Sequence, residues 1–445
     1  MELASTTAYK KGIPELRINY TPHPITDRPA DICRKFLEGN DSHTGKPLLE
    51  GIIASITKPL SAEEKKRGFL KREPRPKFLP PDTEDNLQQY FMENNFTDGG
   101  PVVLPTEERV SEMLEGTSHD PEEIVGTMRP SPPHEAWEYN VEMVAVNAVM
   151  AGAKPEYFPV ILALASTGTS SLFSSTSSFA RMVVVNGPIV DEIGMNRGIG
   201  AMGPFSRANT TIGRAWTLIS KNLGGSGKPG ETFLGSLGNP LSYNNMCFPE
   251  NEEALPEGWK PFHVQKGFRK TDSVVSVLSG WSYNNIAWYS KLPNHDVMKH
   301  WLTHFFSFGT GAATFMIDPV TAEQIYDFGF DSKEKLADYL AKNSKTPAWL
   351  YWQRREKQIE MGENGDEPYA SYLKMGPDAD IPQSRFIRMS PGRQDAPSES
   401  GRAFLRDEID TDNSLEILVV GGGTNTYWGG GDFSYMSSAL IDKWR

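Results

Sequence analysis

Short apolar runs that end in a polar residue before a glycine or proline most constrain how this chain can fold. The run ARMVVVN over 180–186 is followed by Gly187 and Pro188, and the run TFMID over 314–318 is followed by Pro319. Short apolar runs between such breakers are typical of buried strands, and stretches of helical periodicity lie between them. Alternation of these two patterns predicts an α/β fold.

Helix signals are clear in three places. A threonine followed by two acids predicts a capped helix over 107–113, and apolar spacing predicts a helix over 141–151 that ends at a glycine. The segment 207–224, which ends at a glycine, predicts a third helix. The uninterrupted apolar run YFPVILALA at 157–165 predicts a buried strand, and 101–105 predicts a short one.

The pattern of strand, polar residue, proline and acid occurs twice, in VVVNGPIVDEIG (183–194) and TFMIDPVTAEQI (314–325). The segments 273–288 and 415–428 are similar to each other in the same way. We therefore predict two pseudo-symmetric α/β halves from an internal duplication, with a ligand cleft between them. The predicted divisions are an extended N-terminal arm with short helices at 1–98, a first half at 99–225, a Gly/Asn/Pro-rich connecting loop at 226–270, and a second half at 271–445 with an insertion near 344–402.

Charge and cysteine content limit the classes of partner. The chain has 445 residues and a net charge of −12, which argues against nucleic acid or an anionic membrane as a partner. No apolar run approaches the roughly 20 residues that span a bilayer, and no signal peptide is apparent. The two cysteines, Cys33 and Cys247, exclude a disulfide framework. We expect a cytoplasmic protein.

A Gly-x-Gly-x-x-Gly pattern is formed by Gly198, Gly200 and Gly203. A dinucleotide site needs a strand directly before the first glycine, but the predicted strand ends about a dozen residues earlier, near Asn186. No cofactor is therefore evident. The glycines are better explained as a turn into the helix that begins near residue 207.

Arginines and asparagines around this turn suggest an anion site, because free N–H groups at a helix start and guanidinium groups both bind carboxylate or phosphate. The predicted substrate-binding residues are Asn196, Arg197, Arg207, Asn209 and Arg214, with Asn425 from the C-terminal glycine-rich segment. The alternative is that Arg207 and Arg214 pair with structural carboxylates such as Asp191 and Glu192.

Proton chemistry is assigned to the connecting loop, where Glu250 and His263 are the candidate catalytic residues. The alternative is a solvated acidic turn. Cys247, beside several acids, is expected to be an inert thiol.

His300 and His304 are separated by four residues and would share one face of a helix. Two imidazoles at that spacing can bind zinc or iron. The alternative is a hydrogen-bonded pair, because the flanking glutamate of a metalloprotease motif is absent.

Long segments, among them MAGAKPEYFPV at 150–160 and PGETFLGSLGNPLSYNNMCFPENEEALPEGWKPFHVQKGF at 229–268, resemble a poorly characterised family of bacterial cytosolic proteins. Members of that family are found with, or fused to, UGSC-type (seleno)proteins. The family pattern usually has cysteine where this chain has Ala153. The resemblance therefore implies a chain without that thiol, or a subunit whose partner supplies it.

Three functional hypotheses follow. The first is a small-molecule enzyme of lyase or hydrolase type that acts on an anionic substrate in the cleft. The second is a non-catalytic or half-site subunit of a thiol-dependent redox complex, and the third is a metal-dependent enzyme that uses His300 and His304. The protein is expected to be a homo- or hetero-oligomer.

Overall fold

The computed structural model describes residues 4, 8, 12–23, 25, 28–66, 77–129, 136–173, 175–286, 291–304, 312–353, 355–382, 386 and 414–445. Within these ranges, no helix combines the length and the apolar character needed to cross a membrane. Helices and mixed sheets together form an α/β fold, as the sequence predicted.

The strands are β1 (Ile124–Met128), β2 (Trp137–Asn140), β3 (Ala180–Asn186), β4 (Cys247–Pro249), β5 (Val274–Gly280), β6 (Tyr283–Ile286), β7 (Ala313–Ile317), β8 (Thr346–Pro347), β9 (Asp380–Ile381), β10 (Leu415–Val419), β11 (Trp428–Gly431) and β12 (Ser434–Leu440).

The helices are α1 (Ala30–Glu38), α2 (Leu48–Thr57), α3 (Glu84–Glu93), α4 (Glu107–Leu114), α5 (Val141–Ala151), α6 (Phe158–Ser166), α7 (Ile189–Glu192), α8 (Arg207–Asn222), α9 (Phe262–Gln265), α10 (Asn294–His304), α11 (Pro319–Asp327), α12 (Lys333–Asn343), α13 (Ala348–Tyr351), α14 (Glu356–Glu363) and α15 (Tyr369–Lys374).

Two four-stranded sheets form the centre of the described chain, and their strands pair in the same pattern. The first has the order β12-β5-β3-β4, and the second has the order β6-β11-β7-β10. In each sheet the last two strands are parallel and the other neighbours are antiparallel. Along the chain, β5 of the first sheet is followed by β6 of the second sheet. In the same way, β11 of the second sheet is followed by β12 of the first.

When the two sheets are compared position by position, β3 corresponds to β7, and each is followed by a proline and a helix. This correspondence agrees with the similarity of the segments 183–194 and 314–325 in the sequence. The same comparison equates β10 with β4, whereas the second pair of similar segments had aligned β10 with β5. The order of strands in the two sheets therefore does not reproduce the alignment of that second pair. The internal duplication itself stays a prediction.

The sheets stack as the two inner layers of an α/β/β/α arrangement. On β3, Val184 packs into a core between the sheets with Met316 of β7. The alternate residue Val183 faces a core shared with α5, α6 and α8. On β7, Phe315 faces a core shared with α10, α11 and α12. Both faces of each central strand are apolar because both are covered.

Local signals placed the three predicted helices correctly. Thr106 caps α4 by accepting from the Arg109 N–H, and α5 ends at Gly152, whose φ of 80° is the left-handed conformation that glycine favours. Ser206 caps α8 in the same manner.

Two predicted strands are wrong. The run from Tyr157 to Ala165 forms the end of a 3₁₀ turn and the buried helix α6, with Pro159 in the first turn, where no N–H is needed. A helix that is apolar on every side cannot be distinguished from a buried strand by periodicity. The segment 101–105 lies outside the strands, although the Val103 N–H bonds to the Met150 carbonyl.

The predicted divisions of the chain can be compared with the elements that lie within them. The connecting loop at 226–270 contributes β4 to the first sheet, and α1 and α2 pack against each other within the predicted arm. The insertion near 344–402 holds β8, β9 and a small core around Tyr351 in its described part. The division into these units stays a prediction.

Candidate functional site

A cavity of about 270 Å³ opens where β3 and β4 end. Because these strands are parallel, their carboxyl ends meet at one edge of the sheet, where ligands of α/β proteins usually bind. The cavity carries both signs of charge; it is lined by Gly187, Pro188, Val190, Asp191, Arg197, Glu250, Glu252, Glu253 and Lys270.

Glu250 is a fully bonded carboxylate at the inner end of this cavity. Its Oε1 forms an ion pair with Lys333 of α12, and both side chains are at most 1% exposed. Its Oε2 accepts hydrogen bonds from the Asn186 side chain at 2.9 Å and from the Phe262 N–H at 2.6 Å. The Val419 N–H lies 3.4 Å from Oε1. With its lone pairs engaged, Glu250 is suited to positioning its neighbours and poorly suited to accepting a substrate proton.

Glu252 differs from Glu250 because only one of its oxygens is engaged. Its Oε1 accepts from the Asn186 side chain and from the Gly187 N–H, both at 2.8 Å. No described residue donates a hydrogen bond to its Oε2. Glu252 therefore presents one oriented, unoccupied acceptor at the cavity wall.

His263 is fully buried beside Glu252. Its Nε2 lies 3.1 Å from the Arg269 carbonyl oxygen, which can only accept, so Nε2 carries a proton. Its Nδ1 is 3.6 Å from Glu252 Oε1 and has no hydrogen-bond partner among the described residues. The separation of 3.6 Å between Nδ1 and Oε1 is longer than a hydrogen bond, so the two side chains are adjacent without being bonded to each other.

Asn186 ties the two glutamates together, because its Nδ2 donates to both. Its own Oδ1 is buried and has no hydrogen-bond partner within the described ranges. Asn186 is placed by being the last residue of β3, and Gly187 turns the chain there with a φ of 90°. A Cβ at Gly187 would lie 2.2 Å from the Asp272 carbonyl oxygen, so this turn admits only glycine.

Arg197 lies at the mouth of the cavity and bridges two exposed carboxylates. It contacts Asp191 and Glu253, each at 2.6 Å. Burial lowers the pKa of the Arg197 guanidinium, but the two ion pairs outweigh burial and the net pKa is raised. Lys270 is a second, exposed cation in the lining.

The other two predicted arginines lie outside this cavity lining. Arg207 donates two hydrogen bonds to the Gly152 carbonyl, at 3.1 and 3.0 Å. Arg214 forms a bidentate pair with Asp98, with both contacts at 2.8 Å, and also donates to the Pro101 carbonyl. Of the two arginines for which the sequence analysis kept a carboxylate partner open, Arg214 pairs with Asp98, whereas Arg207 contacts no carboxylate among the described residues.

The predicted asparagines hold the glycine-rich turn together. Asn209 is buried and donates to the carbonyls of Asn196 and Ala201. The Asn196 side chain accepts from the Gly198 N–H and donates to the Ile199 carbonyl. Asn425 is exposed in the segment between β10 and β11.

His300 and His304 are both exposed on α10. Within the described ranges, no group of three or more His, Cys, Asp and Glu side chains is arranged to hold a metal ion. Cys247 is buried on β4, and burial raises the pKa of its thiol to about 12. Ala153 is nearly buried and directly follows the glycine that Arg207 contacts.

Sequence reasoning selected Glu250, His263 and Arg197, which the fold brings to this edge of the sheet. It did not select Lys333, Asn186 or Lys270. A polar residue at the end of a parallel strand is a signal that could have identified Asn186. No sequence signal distinguishes Lys333, which opens an ordinary amphipathic helix.

Comparisons of the chain with family models, with curated proteins and with solved structures find no match.

Proposed function

We propose that this protein is a small-molecule enzyme that performs general acid–base chemistry on an anionic substrate in the cavity at the ends of β3 and β4. The observation that carries the proposal is the position of Glu252, whose Oε1 is held by Asn186 and Gly187 beside His263 while its Oε2 receives no hydrogen bond from a described residue. A base placed in this way typically accelerates proton transfer by about 10² to 10⁴-fold.

Each residue has a distinct role in this proposal. Glu252 Oε2 accepts a proton from the substrate and later returns it, and His263 lies beside Oε1. Glu250, fixed by Lys333, is a positioning residue because it orients Asn186, which in turn orients Glu252. Arg197 binds the anionic group of the substrate by exchanging one of its exposed carboxylate partners.

Elimination across a carbon–heteroatom bond is the reaction type we propose. Glu252 removes a proton from carbon, the bond pair forms the new double bond, and the heteroatom leaves with its own bond pair. The proton held by Glu252 then passes to the leaving group, so that protons and electrons balance. Hydrolysis would use the same base on a water molecule.

The test is a turnover screen with a matched control. Purified wild-type protein is incubated with small carboxylates and phosphate esters that carry a leaving group next to an acidic C–H bond, and consumption is followed by NMR. We expect Glu252→Gln to slow turnover by at least about 100-fold. Glu257→Gln, an exposed glutamate on the same loop, should leave the rate unchanged. Turnover that survives Glu252→Gln would contradict the proposed base.

A further inference from the structure

The ion pairs of Arg197 at the mouth of the cavity can be exchanged for a contact with a ligand. Both partners of Arg197 are mostly exposed, with side-chain exposures of 65% for Asp191 and 69% for Glu253. Exposed ion pairs contribute little stability, and water can solvate the released carboxylates. Lys270 lies in the same lining and forms no ion pair with a described residue. An anionic ligand group can therefore replace a protein carboxylate at the mouth.

The inner end of the cavity has the opposite character. Lys333 neutralises Glu250 from behind, but no described lysine or arginine contacts Glu252. The hydrogen bonds from Asn186 and Gly187 fix Oε1 and leave Oε2 without a donor. A second carboxylate placed here would be repelled, whereas a ligand N–H or ammonium group would complete the site.

Building on the function proposed above, we infer that the ligand of this cavity is a small zwitterion with an ammonium and a carboxylate or phosphate group. Its anion faces Arg197 and Lys270, and its ammonium group lies beside the Glu252 carboxylate, so that the neighbouring C–H bond faces Oε2. The cavity of about 270 Å³ has room for a small ligand. Val190 and Pro188 supply the apolar wall between the charged ends.

Binding of matched probe pairs tests this inference without requiring turnover. The pairs are L-aspartate with succinate, 3-aminopropanoate with propanoate, and phosphoethanolamine with ethyl phosphate, so that each pair differs chiefly in the amino group. Binding to the full chain is measured by calorimetry and ligand-observed NMR. We expect the amino member of at least one pair to bind about tenfold tighter than its partner.

The variants separate the two ends of the ligand. Arg197→Gln should weaken both members of the pair, and Glu252→Gln should abolish the preference for the amino member. Glu252→Asp, which keeps the charge, provides a second variant if the glutamine variant fails to fold, and it should retain part of the preference. Glu257→Gln should bind like the wild type.

The outcomes distinguish the inference from the proposed function. Equal binding of both members, lost in Arg197→Gln, would overturn the zwitterion while leaving the proposed anion-binding enzyme intact. Binding that is insensitive to both Arg197→Gln and Glu252→Gln, or the absence of binding by every probe, would overturn the ligand site itself.

Discussion

Lys333 and Glu250 form an ion pair in which both charged groups are removed from solvent. Lys333 opens α12 in the layer outside the second sheet, whereas Glu250 directly follows β4 of the first sheet. The pair therefore joins the two sheet units through a pair of opposite charges at the edge of the cavity. The adjacent backbone adds a further link, since the Asn251 N–H donates to the Val419 carbonyl at 2.8 Å.

Removing Lys333 should strongly destabilise the fold. Lys333→Met leaves the Glu250 carboxylate buried without its counter-charge, and the free energy of unfolding should fall by about 3–5 kcal/mol. Urea denaturation measures this loss. Lys335→Met is the matched control, because the pair of Lys335 with Asp331 is exposed and its loss should cost less than about 1 kcal/mol. Adding Glu250→Gln to Lys333→Met should recover part of the stability, and further loss would contradict an unpaired buried charge as the cause.

The two arginines of α8 should differ in their contribution to stability. Arg214→Ala leaves Asp98 half-buried without its bidentate partner, so the unfolding free energy should fall by about 1–3 kcal/mol. Arg207 is exposed and contacts one neutral carbonyl, so Arg207→Ala should cost less than about 1 kcal/mol. Thermal and urea unfolding of both variants provide the comparison. Equal losses would show that the pair of Arg214 with Asp98 is not a significant structural contact.

His295 should make the fold less stable in mild acid. Burial lowers the pKa of this imidazole, while nearby Asp296 raises it and Lys299 lowers it. The rings of Phe328, Phe330 and Tyr339 pack against it. A lowered folded pKa means that the unfolded chain binds the proton more readily. This contribution to stability is therefore complete above the unfolded pKa of about 6.5 and is lost as the pH falls from there through the lowered folded pKa.

Melting temperatures at pH 8 and pH 5.5 measure this effect. The decrease in melting temperature from pH 8 to pH 5.5 should be smaller for His295→Gln than for the wild-type protein. His300→Gln, an exposed histidine of the same helix, should retain the wild-type drop. A variant of His295 with an unchanged drop would assign the acid sensitivity to other groups.

The two cysteines should react with thiol reagents at very different rates. Burial raises the pKa of the Cys247 thiol to about 12, and the side chain is shielded from solvent. Cys33 on α1 is only partly buried. Because the thiolate is the reactive form, a chromogenic disulfide reagent should titrate Cys33 in the native protein and both thiols in guanidinium. Rapid native labelling of both would contradict the burial of β4.

For the glycine-rich turn, the sequence indicates the local conformation but not the long-range contacts. Position in the chain argued against a dinucleotide site, and the turn indeed leads into α8 with Ser206 as its cap. Gly200 has a φ of 76°, which is the conformational reason for a glycine there. The predicted anion site around this turn depended on long-range partners, and the fold gives Arg214 to Asp98, which lies 116 residues earlier.

The sequence by itself determined the α/β class, the positions of α4, α5 and α8, and the strands β3 and β7. These follow from periodicity, capping residues and breakers, which act over a few residues. Only the tertiary structure decided that α6 is a helix, that β6 and β12 exchange sheets, and that Glu250 is saturated while Glu252 retains an open oxygen. Those properties depend on which distant groups share a buried space, because burial and pairing set the energy of a charge more strongly than its neighbours in the chain do.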